Sequence, residues 1–193
     1  MRAVCVLPWL DRDLMVATEN SRAGDDRWEC VLVDNSVKNI GVASSWNKGA
    51  DRVLASQADW LVLLSTTIRF NKGGIDFLDN LEKSSARMVS GIDCGWHLHA
   101  ISRDVLERVG KFDSLFNPAY YEDNDYLYRY KMEYGEPAAN NHDWIAVDYD
   151  SLGDAHSLRF DHISIDIGQQ RKKYQNKWGD DPDRELWATP HNQ

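Results

Sequence analysis

Cysteine is scarce in this chain, and the few cysteines do not form a patterned site. The 193 residues include Cys5, Cys30 and Cys94, which are odd in number, far apart and without a Cys-x-x-Cys pair. This spacing indicates neither a disulfide framework nor a cysteine zinc site. We therefore expect a protein of the reducing cytoplasm.

Long apolar runs are also missing. None approaches the roughly 20 residues that span a bilayer, so the sequence predicts no membrane helix. Residues 1–8 are too short for a secretory signal peptide and are typical of a first strand. With 42% hydrophobic and 27% charged residues, the chain is typical of a soluble globular protein. No repeat or linker divides it, which predicts one domain over 1–193.

Basic charge is in deficit, since the formal net charge is −9. Non-specific binding to a phosphate backbone needs a positive surface, so a duplex-binding role is disfavoured. The densest basic cluster, 171–173 with Lys177, is typical of the solvated face of a terminal helix. Eight tryptophans are many for this length. Their rings either pack in the core or stack on sugars and bases in a cleft.

Short apolar runs alternate with segments of helical character. Runs at 4–7, 30–33 and 60–64 predict buried parallel strands, and weaker runs stand at 88–92, 96–101 and 144–147. Helices are predicted at 47–54, 71–81, 102–109, 123–134 and 160–178, with a short helix within 10–26. This alternation predicts an α/β fold with a mostly parallel central sheet flanked by helices.

Four segments are expected at the carboxyl edge of that sheet, where ligands bind in such folds. They are 8–9, 34–36, 65–67 and the acidic-aromatic segment 120–126. The last places three carboxylates within four positions among tyrosines. A carboxylate at an apolar boundary has a raised pKa and can serve as a general base. The ordinary alternative is a helix start, with acids near the positive end of the dipole.

The order of several short motifs resembles a known enzyme family. The motifs are Asp-Asn-Ser at 34–36, an Asn-x-Gly-x-Ala pattern from 39 with Asn-x-Gly at 47–49, the strand at 60–64, Val-Gly-Lys-Phe-Asp at 109–113 before Glu-Asp at 122–123, His-Ser at 156–157, and Lys-Trp-Gly at 177–179. Together they resemble family 2 glycosyltransferases with the Rossmann-like GT-A fold, including compact phage and bacterial forms. The resemblance covers most of the chain.

The resemblance implies a nucleotide-diphosphate sugar as the donor substrate. The donor-binding positions would be Pro8, Trp9, Asp34, Asn39, Gly41, Asn47, Ser65, Thr67 and Arg69. Asp34 would accept hydrogen bonds from the base or ribose, although a turn Asp that caps Ser36 is the local alternative. Trp9 would stack on the base or else pack in the core. Asn39, Gly41 and Asn47 suit a tight passage where backbone approaches a diphosphate.

The same resemblance assigns the acidic residues. Asp123 would be the general base of an inverting transfer, and Glu122 would orient the acceptor or share the base role. Asp125 is expected to cap the following helix. Arg129 is expected to pair with Glu122 or Asp125.

One motif departs from the family, because Ser65-Thr66-Thr67 occupies the place of the usual acidic metal-binding pattern. Hydroxyls are poor substitutes for the carboxylates that Mn²⁺ and Mg²⁺ prefer. The enzyme would be metal-independent, with Arg69, Lys72 or helix N-termini neutralising the diphosphate. Alternatively, Asp154 and His156 would hold the metal. A third alternative is an inactive protein that still binds carbohydrate or nucleotide.

The acceptor is left open by the sequence. A glycan, a protein hydroxyl, a small molecule and a hydroxymethylated base of viral DNA all fit, and the acidic net charge weighs against DNA. His97 and His99 share one face of a strand beside Trp96 and either line an acceptor pocket or form an ordinary surface pair. The oligomeric state is not indicated.

Overall fold

The computed structural model describes residues 2–22, 26–70, 75–90, 95–135, 139–140 and 165–191. Its strands are β1 Ala3–Trp9, β2 Trp28–Asp34, β3 Trp60–Leu64, β4 Met88–Ser90, β5 Leu98–Ser102 and β6 Ala139–Asn140. Its helices are α1 Arg12–Arg22, α2 Val42–Leu54, α3 Ile75–Lys83, α4 Arg103–Val109, α5 Glu122–Tyr134 and α6 Ile167–Trp178. Short 3₁₀ turns stand at Gly95–His97 and Ser114–Phe116.

The strands form one sheet in the order β2-β1-β3-β5-β4-β6. Only β5 runs against its neighbours β3 and β4, and the pairs β1–β2, β1–β3 and β4–β6 are parallel. This confirms the predicted mostly parallel sheet. The strand predicted at 144–147 lies outside the described residues.

Helices cover both faces of the sheet. All five residues of β3 are buried, which explains its continuous apolar run. One face packs against α1 and α3 through Met15, Phe77 and Leu81. The other packs against α2, α4 and α5 through Trp46, Leu106 and Tyr126. In the part of the chain that the structure describes, no helix is long and apolar enough to cross a bilayer.

Helix α2 begins earlier than the predicted 47–54. Gly41 precedes it with a φ of 87°, a value that glycine adopts readily. The Ser45 hydroxyl donates to the Gly41 carbonyl at 2.7 Å and accepts from Asn35 Nδ2 at 3.0 Å. The buried Ser45 therefore stabilises a first turn whose polar sequence does not predict a helix.

Helix α5 corrects one sequence-based expectation. It begins at Glu122 after Tyr121 and ends at Gly135, whose φ of 71° gives the predicted glycine stop. The expectation that Asp125 caps this helix is wrong, because Asp125 lies inside the first turn and is fully buried. Helix α6 starts at Ile167, because the Asp166 side chain accepts from the Gln169 amide and caps the helix there. Residues 160–164 of the predicted helix lie outside the described residues.

Candidate active site

The carboxyl edge of the sheet brings three predicted segments together. Trp9 and Asp34 are register partners at the ends of β1 and β2, and the Asn35 amide donates to the Trp9 carbonyl at 2.9 Å. β3 ends at Leu64, so Ser65 follows at the same edge. Pro8 and Trp9 are half-buried, whereas Asp34 is exposed. This edge therefore offers a partly covered ring and an open carboxylate side by side.

Asp34 and Asn35 have different local roles. Asp34 Oδ1 accepts from the amide and the hydroxyl of Ser36, at 2.8 and 2.6 Å, which is the turn geometry of the local alternative. Asn35 is buried and accepts from the Ile40 amide at 3.2 Å. Asn35 therefore fixes the loop that leads into α2, a role that the sequence analysis did not assign.

The N-terminus of α2 is covered by a distant segment of the same chain. The Val42 amide donates to the Pro118 carbonyl at 2.8 Å, and the Ser44 amide donates to Asn117 Oδ1 at 3.4 Å. Asn39 Oδ1 accepts from the Gly41 amide at 2.8 Å. The backbone expected to approach a diphosphate is thus engaged by the protein itself.

Asn47 links α2 to the segment before α5. Its Nδ2 donates to the Phe112 carbonyl at 2.8 Å, and its Oδ1 accepts from the Phe112 amide at 2.9 Å. Both polar atoms of the side-chain amide take part in this pair of bonds. In the structure Asn47 holds the segment that leads to the acidic residues, and the sequence did not reveal this partner 65 positions away.

The segment after β3 is a network of hydroxyls and one imidazole. The amide and hydroxyl of Thr67 donate to Ser65 Oγ at 3.3 and 2.9 Å, and Thr67 Oγ1 lies 3.3 Å from His97 Nδ1. Arg69 Nη1 donates to the carbonyls of Thr66 and Ile68, at 2.8 and 2.7 Å. The described contacts of Arg69 therefore stabilise this loop.

These residues do not fit a site for a hard cation. Ser65, Thr67 and His97 offer no carboxylate, and Mn²⁺ and Mg²⁺ prefer carboxylate oxygens. Over the described ranges, no group of three or more His, Cys, Asp or Glu residues could hold a metal ion. The other candidates, Asp154 and His156, lie outside the described residues, as does Lys72.

The acid pair follows a strained turn. Tyr120 and Tyr121 have φ values of 76° and 73°, which are uncommon for residues with large side chains. Each such residue costs on the order of 1–3 kcal/mol, and such strain clusters at functional sites. The Tyr121 ring packs on Tyr174 of α6 with centroids 5.5 Å apart. The turn delivers Glu122 and Asp123 to the start of α5.

Burial raises the pKa of both acids of the pair. Glu122 is 6% exposed, and burial, followed by the charge of Asp123, raises its pKa to about 8. Burial also raises the pKa of Asp123, and the Asn124 amide, which donates to Asp123 Oδ1 at 2.8 Å, opposes that shift. At neutral pH Glu122 is therefore mostly protonated, whereas the hydrogen bond from the Asn124 amide favours the charged form of Asp123.

Asp125 forms a buried charge network. It accepts from Trp178 Nε1 and from Arg129 Nε, both at 2.9 Å, and Lys177 Nζ lies 2.7 Å from its Oδ1. The predicted pairing of Arg129 is confirmed, with Asp125 as the partner. Lys177 also reaches Asp113 at 2.6 Å. Asp125 therefore joins α5 to α6.

Helix α6 touches the chain at successive points from 113 to 125, which we call the clasp. Besides the contacts of Lys177 and Trp178, Lys173 Nζ donates to the Leu115 carbonyl at 2.9 Å, and Gln170 Nε2 donates to the Asn117 carbonyl at 3.2 Å. The segment that ends in the acid pair is thus held along its length. The resemblance singled out Lys177-Trp178-Gly179, but it gave no partners.

Comparison with solved structures identifies the fold. A mannosyltransferase from Pyrobaculum calidifontis, PcManGT, solved with GDP-Man and Mn²⁺, superposes with a TM-score of 0.62 at 14% identity, over 90% of this chain and 64% of that chain. The fold is glycosyltransferase-like. Our chain thus spans under two thirds of that enzyme's length.

Two further structures are more distant. A glycosyltransferase involved in the glycosylation of the major capsid of PBCV-1 gives a TM-score of 0.44 at 12% identity, over 74% of this chain and 82% of that one. A197 from STIV gives 0.38 at 16% identity, over 56% and 68%. No family model and no curated protein sequence matches the chain.

Proposed function

We propose that this chain is an inverting glycosyltransferase of the family 2, GT-A type, with Asp123 as its general base. The observation that carries the proposal is the pair of a buried Glu122 and a half-buried Asp123, set at a helix start by strained backbone in a glycosyltransferase-like fold. Perturbed carboxylates in such a position are candidates for acid–base chemistry.

The proposed reaction is a single displacement. Asp123 takes the proton of an acceptor hydroxyl while that oxygen attacks the anomeric carbon of the donor sugar. The bond from the anomeric carbon to the diphosphate oxygen breaks, and the nucleoside diphosphate leaves with the electron pair. One attack from the opposite face inverts the anomeric centre. A raised pKa brings Asp123 closer to the operating pH and makes it a better base.

Glu122 has a different role in this proposal. Because its pKa is about 8, its carboxyl carries a proton at neutral pH and can donate a hydrogen bond to a substrate oxygen. Of the two roles that the sequence left open, orienting the acceptor therefore suits Glu122 better than sharing the base role.

The proposed donor is a nucleotide-diphosphate sugar, the class that PcManGT holds in its structure. Trp9 and Asp34 stay the proposed contacts for base and ribose, because they stand at the open carboxyl edge of β1 and β2. No step of the proposed reaction uses a metal, since the residues after β3 do not fit one. Among acceptors, the net charge of −9 disfavours DNA.

Asp123→Asn tests the proposal against a panel of UDP-, GDP-, dTDP- and CMP-sugars. We expect one nucleotide sugar to stabilise both proteins, by about 2.7 kcal/mol at 100 times Kd. Turnover, including slow transfer to water, should fall by about a hundredfold or more in the variant. Asp13→Asn, a change at an exposed carboxylate of α1, is the control and should keep full turnover.

Other outcomes separate the alternatives. Transfer at the wild-type rate by Asp123→Asn would refute the base assignment. Binding of a nucleotide sugar without turnover by the wild type would instead support the inactive binding protein. If no nucleotide sugar shifts the melting temperature, the glycosyltransferase proposal is wrong.

A further inference from the structure

Two cysteines that are distant in the sequence meet in the sheet. Cys5 of β1 and Cys30 of β2 are register partners on neighbouring parallel strands. Both side chains lie on the face that packs against α1 and α3, where Cys5 is part of the core and Cys30 packs against it. Neither is in a disulfide, and the two thiols are hydrogen-bonded to each other. The sequence gave no sign of this pair, because only the strand register brings it together.

The spacing of the strands suits a bond between the two sulfur atoms. Neighbouring strands lie about 4.8 Å apart in the hydrogen-bonding direction. Disulfides join residues whose Cα atoms are about 4.4–6.8 Å apart. A disulfide between Cys5 and Cys30 therefore needs no change in strand pairing.

The two thiols differ in access to solvent. Cys5 is fully buried, whereas Cys30 is half-buried on an edge strand of the sheet. The hydrogen bond with Cys30, and then burial, raise the pKa of Cys5. A small oxidant therefore meets Cys30 first, and Cys5 is placed to react with the Cys30 sulfur rather than with solvent.

Charged side chains of α1 stand beside the pair. Glu19 and Arg22 form an i,i+3 ion pair, in which the Arg22 side chain is only 12% exposed. The Glu19 carboxylate also accepts a hydrogen bond from the Cys30 thiol, and the Arg22 charge acts on both sulfur atoms. A neighbouring arginine makes a thiol reactive because it stabilises the thiolate, which is the nucleophile. The surroundings of Cys30 therefore supply both a proton acceptor and a cation.

We propose that Cys5 and Cys30 form an oxidation site for hydrogen peroxide, in which Cys30 reacts first and Cys5 resolves the product into a cross-strand disulfide. The inference is independent of the proposed function, since it uses neither a sugar donor nor the acid pair.

The chemistry runs in two steps. The Cys30 sulfur attacks one oxygen of the peroxide, the O–O bond breaks, and the thiol proton passes through Glu19 to the leaving hydroxide, which becomes water. Cys30 is then a sulfenic acid. The Cys5 sulfur attacks the Cys30 sulfur, the S–O bond breaks, and the hydroxyl leaves as water with the proton of Cys5. Two thiols are oxidised to one disulfide, and one peroxide is reduced to two water molecules.

The test uses the full chain with Cys94→Ser, which leaves Cys5 and Cys30 as its only thiols. One equivalent of hydrogen peroxide is added, and the intact mass, the alkylation of the unfolded protein and a peptide map are recorded. We expect the mass to fall by two hydrogens, alkylation to cease and the map to join the peptides of Cys5 and Cys30. Dithiothreitol should restore both thiols.

Single variants separate the roles of the two thiols. In Cys5→Ala, Cys30 has no resolving partner, so we expect a sulfenic acid that dimedone traps. In Cys30→Ala, we expect the buried Cys5 to stay reduced under the same conditions. The reverse pattern would overturn the assignment of the two roles.

The role of Arg22 is tested by the rate. Arg22→Met removes the cation beside Cys30, and we expect disulfide formation to slow by about tenfold, since less of the thiol is then ionised. Arg12→Met, an exposed change on the same helix, is the control and should oxidise at the wild-type rate. Thiols that stay reduced in peroxide, or a disulfide that links two chains instead, would overturn the inference.

Discussion

At the scale of single residues, neighbouring carboxylates differ because their surroundings differ. Glu122 Oε2 has no hydrogen-bond partner within the described ranges, while Asp123 accepts from the Asn124 amide. Asp125, two positions on, is fully buried but surrounded by three cationic or N–H donors. Three acids in four positions thus serve as a neutral donor, a base candidate and a structural link between α5 and α6.

Glu122→Gln should change how stability depends on pH. The folded-state pKa of about 8 lies above the ordinary 4.5, so the folded protein binds more protons between these values. The free energy of unfolding therefore falls as pH rises through that window, by at most about 1.4 kcal/mol per unit. Urea unfolding at about pH 5 and pH 8 should show a smaller loss in Glu122→Gln than in the wild type.

Asp123 is present in both proteins, so the difference between the two pH dependences reports on Glu122 together with its interaction with Asp123. An equal loss of stability in the wild type and in Glu122→Gln would show that Glu122 is ionised in the folded protein. It would also remove the hydrogen-bond donor role that we propose for it.

At the scale of helices and strands, the predicted strands match the structure best where the apolar pattern of the sequence reflects burial in the sheet. β1 and β3 were located because buried parallel strands are continuously apolar. β2 was located by its apolar run, but the expectation that it is buried is wrong, because β2 is an edge strand and its Leu32 is exposed. The start of α2 was missed because it depends on the contact between Asn35 and Ser45. Such side-chain partners are set by tertiary structure and leave no periodic signal.

Gly49→Ala should destabilise the protein although it lies inside a helix. Alanine normally stabilises a helix interior by about 1 kcal/mol relative to glycine. Here its Cβ would stand 2.6 Å from Val6 Cβ and 2.7 Å from Leu61 Cδ1. We expect a net loss of about 1–3 kcal/mol in urea unfolding. Lys48→Ala, an exposed change on the same helix, should have little effect; a gain in Gly49→Ala would contradict this packing.

The clasp predicts a strong effect of Lys177→Met. Lys177 is 9% exposed and pairs with both Asp113 and Asp125, so its loss leaves a buried carboxylate with fewer partners. Breaking a buried pair from one side costs about 3–5 kcal/mol. Lys172→Met, at an exposed position of the same helix, should cost far less in the same chemical denaturation. Equal effects of the two changes would show that α6 does not hold the acid-bearing segment.

At the scale of the whole molecule, the sequence predicted the sheet and the segments at its carboxyl edge but not the use of each side chain. Asn47 and Arg69 were expected to serve the donor, and in the structure their polar atoms hold Phe112 and the loop after β3. The sequence alone does not distinguish an asparagine or arginine that binds a substrate from one that binds a backbone carbonyl. Its partner is known only once the fold places the two together.

Metal dependence is also a property of the whole carboxyl edge. In the described part of that edge, Ser65, Thr67 and His97 bind one another and supply no carboxylate. We therefore expect GDP or UDP to raise the melting temperature equally in EDTA and in Mn²⁺. A shift that needs Mn²⁺ would contradict this and would direct attention to Asp154 and His156. The variants Asp154→Asn and His156→Ala should then abolish the Mn²⁺-dependent part of the melting-temperature shift, because each removes a side chain that could bind the metal.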